Sequence, residues 1–185
     1  MPIFARHQLR ARLRAVVPSL IIAAALGLSL AAPAHADDET RDTRDLRRGD
    51  ESSFLDRYTN KAQDLILKGL EMVGVSYRRG GTDPDAGLDC SGFVQLVFRE
   101  AIGVVLPRTS REMSQVGARV EHQELKPGDL VFFNTMRRAF SHVGIYLGEG
   151  RFMHSPRPGG EVRVEDMDSS YWVKRYNGAR RLVDR

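Results

Sequence analysis

The hydrophobic pattern of this chain changes period once, at "LKPGD" (residues 125 to 129), and that change constrains the fold more than any other feature. Before it the pattern is helical. Ala62, Leu65, Ile66, Gly69, Leu70 and Val73 recur at three- and four-residue spacing, with Thr59 or Asn60 as cap. The loop-forming stretch "YRRGGTDPDAGLD" follows. A second helix is expected from Cys90, with Asp89 as N-cap and Phe93, Val94, Val97, Phe98 and Ile102 as one apolar stripe. A short third helix is expected from Thr109 or Ser110. After the Pro127-Gly128 turn the signal becomes strand-like: "LVFFN", "HVGIYLG", "RFMHS", "VRVEDM" and "KRYNGARRL". Helices first and strands afterwards predict an α+β fold, with helices packed on an antiparallel sheet of five to six strands.

The first 36 residues stand apart from this pattern. Arg6, Arg10, Arg12 and Arg14 precede the apolar run "LIIAAALGLSLAA", and "AHA" (34 to 36) offers an Ala-x-Ala cleavage pattern. Pro18 and Pro33 leave fewer than the ~20 clean apolar residues of a spanning helix. The expectation is a signal peptide over 1–36, export across the inner membrane to the periplasm, and no stable membrane anchor after cleavage. No cysteine stands at the cleavage point to carry a lipid, and no Arg-Arg pair precedes the run. Removing the leader leaves 24 basic against 24 acidic residues, so the high overall pI gives no support to nucleic-acid binding. Residues 37–53 alternate charges with almost no apolar content, and 37–57 are expected to form a flexible linker before a domain over 58–185. A monomer is expected.

Cys90 is the only cysteine, so it has no partner for an intramolecular disulfide in an exported chain. Either it is buried and inert, or it reacts. At the first turn of a helix, free backbone N–H groups and the positive end of the dipole favour a thiolate and should lower its pKa. The amides of Cys90 and Ser91 could also receive a developing oxyanion. Residues 37–185 hold three histidines, His122, His142 and His154. With Gly148-Glu149-Gly150 as a three-residue hairpin loop, His154 lies diagonally across from His142 on one face, while Val143, Ile145, Leu147 and Met153 take the other. The roles expected are nucleophile for Cys90, base for His142 and orienting partner for His154. His122, in a charged stretch, is expected to be an ordinary surface residue.

The motifs "YRRGG", "LDCSGFVQLVF", "LPRTS", "LKPGDLVFF", "SHVGIYLGEGRFMHS" and "YWVKRYNGARR" resemble, in order, those of the NlpC family of papain-like peptidoglycan endopeptidases. The resemblance implies a papain-like NlpC fold, a Cys90-His142-His154 triad and a Tyr77 hydroxyl near the oxyanion. It also implies a cell-wall substrate, peptidoglycan stem peptides or crosslinks, with a modest tilt toward the D-alanine crosslink. Without it, Tyr77 reads as a buried aromatic at a strand end. Substrate carboxylates could be held by Arg78, Arg79, Arg108 or Arg111. Trp172 and Tyr171 could line a groove, but the reading preferred is that they close the core near the last strand. No cofactor or metal is expected. The competing readings are a wall-binding module without catalysis, an amidase or acyltransferase on the same triad, and a zinc site made of the thiolate and two imidazoles.

Overall fold

The computed structural model describes residues 39–135 and 137–183, with side chains described from residue 53 onward. The expected signal peptide lies outside the described residues. The linker expectation needs correction, because one helix, α1 (Glu39–Glu71), runs through 39–57 and on into the apolar segment. Neither Thr59 nor Asn60 caps it. This stretch holds one glycine and no proline, and extending an existing helix requires no new nucleus. Charge alternation is a poor guide to linkers when a strong helix lies immediately downstream.

Two short strands, β1 (Thr82–Asp83) and β2 (Gly87–Leu88), pair as a small antiparallel ribbon and lead into α2 (Cys90–Ile102). The buried stripe of α2 includes Phe93, Val94, Val97 and Phe98, and Gly103 closes the helix in the left-handed region at φ 70°. The four-residue α3 (Ser110–Met113) starts on a Thr109–Glu112 capping box.

The sheet has six antiparallel strands: β3 (Ala118–Val120), β4 (Leu130–Phe133), β5 (His142–Gly148), β6 (Arg151–His154), β7 (Arg163–Asp166) and β8 (Tyr176–Arg181). Their spatial order is β3-β8-β4-β5-β6-β7, so the last strand inserts beside β4. A short helix, α4 (Ser170–Val173), connects β7 to β8. The α+β expectation holds. Strand β3 escaped sequence reading because only Val120 of its three residues is buried.

Strand β4 shows why "LVFF" reads as unbroken apolar sequence: both of its faces are covered. Leu130 and Phe132 join the core under α2, together with Val143, Ile145 and Met153. Val131 and Phe133 join a second cluster with Phe152 and Trp172. Helix α1 touches the first core closely at Gly69, where a Cβ would strike the thioether of Met153. In the β5–β6 hairpin Ile145 pairs with Met153 and Tyr146 with Phe152, the register expected from sequence. Nearer the turn the register shifts so that Gly148 faces Arg151. The irregularity stays at the tip, and the parity of the two histidines survives it.

Candidate active site

The local sequence "LDCSG" places the thiol. Asp89 takes an extended conformation (φ −86°, ψ 176°), and its carboxylate accepts the Gly92 N–H at 2.7 Å, which starts α2 at Cys90. Gly92 cannot be larger, because a Cβ there would run into the Gly81 carbonyl. Asp89 is held from outside by Arg108, whose Nη1 and Nη2 donate to its two oxygens at 3.1 and 2.7 Å. Arg108 also donates to the Ser91 hydroxyl at 2.8 Å. The guanidinium assigned from sequence to substrate is thus committed to bracing the helix start. The Ser91 side chain is likewise buried in that brace.

Cys90 is half-buried, and the backbone N–H groups of Cys90, Ser91 and Val143 all favour its thiolate. They do not win. Burial, seconded by the Asp89 charge, pushes the thiol up to about 11, against the lowering expected from sequence. The resting side chain is a thiol, and a base must take its proton.

His142 and His154 end up as the sequence parity requires, with His142 Nε2 2.6 Å from His154 Nδ1 and the rings nearly perpendicular. This contact occupies Nε2 of His142 and leaves its Nδ1 outside the pair. Burial holds His142 well below its ordinary 6.5, and His154 is lowered by the same cause. Both imidazoles are neutral at rest. Their contact also weighs against zinc, since two ligand nitrogens each ~2.1 Å from one tetrahedral ion stand farther apart than 2.6 Å.

A cleft of about 540 Å³ opens over Cys90 and His142, and Tyr77 lines it with them. Burial raises the Tyr77 phenol above its ordinary 10, so it stays a hydrogen-bond donor across the neutral range. Arg78, Arg79 and Arg111 are not among the cleft's lining residues; Arg157 and Arg163 are. Trp172 closes the second core as expected, and it also lines the cleft, stacks on His142 at 5.7 Å and meets His154 edge-on at 5.1 Å, whereas Tyr171 does not close the core: it is exposed and lines the cleft. Glu165 was missed from sequence. Its Oε1 lies 3.6 Å from the buried His154 Nε2, and its Oε2 accepts the Trp172 Nε1–H at 2.5 Å. Only the pairing of β7 on β6, Phe152 opposite Glu165 and His154 opposite Arg163, brings it there. No local motif carries that register.

A family model described as the NlpC/P60 family matches residues 74–181, more than half of the chain and all of the site above. The chain belongs to the NlpC/P60 family. Among NlpC/P60 relatives, it is 42% identical to the murein DD-endopeptidase MepH of Escherichia coli K12 over 117 residues, covering 62% of this chain and 43% of MepH. It is 40% identical to the murein DD-endopeptidase MepS/murein LD-carboxypeptidase of the same strain over 147 residues, 74% of this chain and 77% of that one. The gamma-DL-glutamyl hydrolase of Bacillus subtilis is 44% identical over 64% of this chain and 29% of its own length. The chain therefore spans less than half of two of these three. A crystal structure of an NlpC/P60 family protein from Bacillus cereus superposes with a TM-score of 0.62 at 35% identity, covering 66% of this chain and 40% of that one.

Proposed function

We propose that this NlpC/P60 chain is an exported cysteine endopeptidase that hydrolyses amide bonds in peptidoglycan stem peptides or their crosslinks. The leader over 1–36 would deliver it to the periplasm, and the domain over 58–185 would act there without a membrane anchor. One observation carries the reading: the 2.6 Å contact between His142 Nε2 and His154 Nδ1, made beside the cleft that His142 lines with Cys90, which leaves Nδ1 as the nitrogen of His142 that could serve the thiol. The relatives named for murein endopeptidase activity support the substrate class.

In the acylation step His142 Nδ1 takes the Cys90 proton as the sulfur attacks the amide carbonyl. A C–S bond forms, and the carbonyl π electrons move to oxygen. The backbone N–H groups at the start of α2 and the Tyr77 hydroxyl receive that oxyanion. As the intermediate collapses, the C–N bond breaks and the imidazolium gives its proton to the departing amine. Water then attacks the thioester with His142 again as base, which releases the acid and restores the thiol. His154 holds the His142 ring in place throughout.

The test is release of soluble muropeptides from purified sacculi. The wild type releases them, and Cys90→Ala, folded as judged by circular dichroism, releases none. Undiminished release by Cys90→Ala would refute the proposal. Sedimentation of the wild type with sacculi without any release would favour a wall-binding module instead.

A further inference from the structure

Each hydrogen bond in the histidine pair can run in either direction, because a neutral imidazole carries its proton on one nitrogen or the other. The contact between His142 and His154 is useful only in one sense. For Nδ1 of His142 to accept the thiol proton, its Nε2 must carry hydrogen, so Nδ1 of His154 must be bare and Nε2 of His154 protonated. Nothing within the two rings enforces this choice. The group beyond them does: Nε2 of His154 is fully buried, has no hydrogen-bond partner within 3.5 Å, and faces Glu165 Oε1 at 3.6 Å.

We propose that Glu165 is a positioning residue that fixes the tautomers of His154 and, through it, of His142, extending the site to a Cys90–His142–His154–Glu165 chain. An ionised carboxylate accepts hydrogen bonds and cannot donate them. Glu165 stays ionised, since contact with His154, Trp172 and Arg163 holds it down at about 2. It is also fixed in place, because Trp172 Nε1 donates to Oε2 at 2.5 Å and Arg163 Nε to Oε1 at 2.5 Å. These donors come from α4 and β7, and the histidines face it from β5 and β6. Arg163 is the one cation in this group, and it offsets part of the carboxylate's charge at His154. The carboxylate raises the basicity of both imidazoles. When His142 takes the thiol proton, the 3.6 Å gap closes into a hydrogen bond, as catalytic contacts in unliganded sites commonly do.

This inference rests on the proposed peptidase reading for its catalytic consequence, but not for its tautomers. Nitrogen-15 shifts of the histidine side chains read them without any substrate. The wild type should carry hydrogen on Nε2 of both His142 and His154; hydrogen on Nδ1 of His142 overturns the inference. Glu165→Gln, which keeps the shape but offers an amide donor to His154, should populate the opposite tautomer. On sacculi it should lower kcat roughly 10- to 100-fold with little change in KM, the size typical when the outer partner of a metal-bound histidine is lost. It should also move the acid limb of kcat/KM to lower pH, because removing the negative charge makes His142 harder to protonate. Glu165→Asp, which keeps the charge, should hold the acid limb at its wild-type position. Wild-type tautomers and an unmoved acid limb in a folded Glu165→Gln variant contradict the inference. A wild type with the expected tautomers that cleaves no sacculi refutes the proposed function and leaves this inference standing.

Discussion

At the scale of single residues, Cys90 is the side chain whose behaviour differs most from what its position in the sequence suggests. A helix N-terminus favours an anion, and three backbone N–H groups do so here, yet burial and Asp89 keep the sulfur protonated. In the proposed peptidase, activation would therefore depend on a base within the site. Tyr77 is the complementary case, placed in the cleft as a donor that does not ionise near neutrality. Tyr77→Phe should lower kcat by roughly 10²-fold, the size of one lost oxyanion donor, with KM little changed. Steady-state kinetics on a defined muropeptide checks this, and an unchanged kcat would remove Tyr77 from the oxyanion site.

At the scale of elements, the N-terminus of α2 and the β5–β6 hairpin do most of the placing. Asp89 has two opposed effects, since its carboxylate caps the helix while its charge raises the thiol pKa. Asp89→Asn keeps a capping oxygen and removes the charge, so the Cys90 pKa should fall below its wild-type value of about 11. The pH dependence of iodoacetamide alkylation measures this; a pKa unchanged or raised would contradict the account. These elements were legible because their signals are local: Asp89 ahead of an apolar stripe, and two histidines whose separation across a tight turn fixes their parity. Glu165 and β3 were not legible, because each is defined by a strand pairing distant in sequence. The helical course of 39–57 was hidden for another reason, since its polar composition says nothing of the helix it extends.

At the scale of the whole molecule, the site is built from groups that resist protonation, and this couples it to stability. His142 and His154 lie below their ordinary 6.5, so below that pH the unfolded chain takes up protons that the folded chain refuses. Glu165, ordinarily near 4.5 and held at about 2, acts with the same sign at lower pH. The Tm should therefore decline as pH falls below about 6.5 and continue to decline through the range from 4.5 toward 2. A Tm that rises on acidification from 7 to 5 would contradict this. The proposed export is tested at the same scale: if it occurs, the N-terminus of protein recovered from the periplasm should be Asp37, read by intact mass, and a retained leader would refute cleavage.

The most direct test of covalent catalysis is intact-protein mass spectrometry of enzyme quenched in acid while it turns over a defined muropeptide dimer. The account expects an added mass equal to the acyl half of the substrate, mapped to Cys90 and absent from Cys90→Ala. Products accumulating with no adduct on the wild type, and equally from Cys90→Ala, would contradict it.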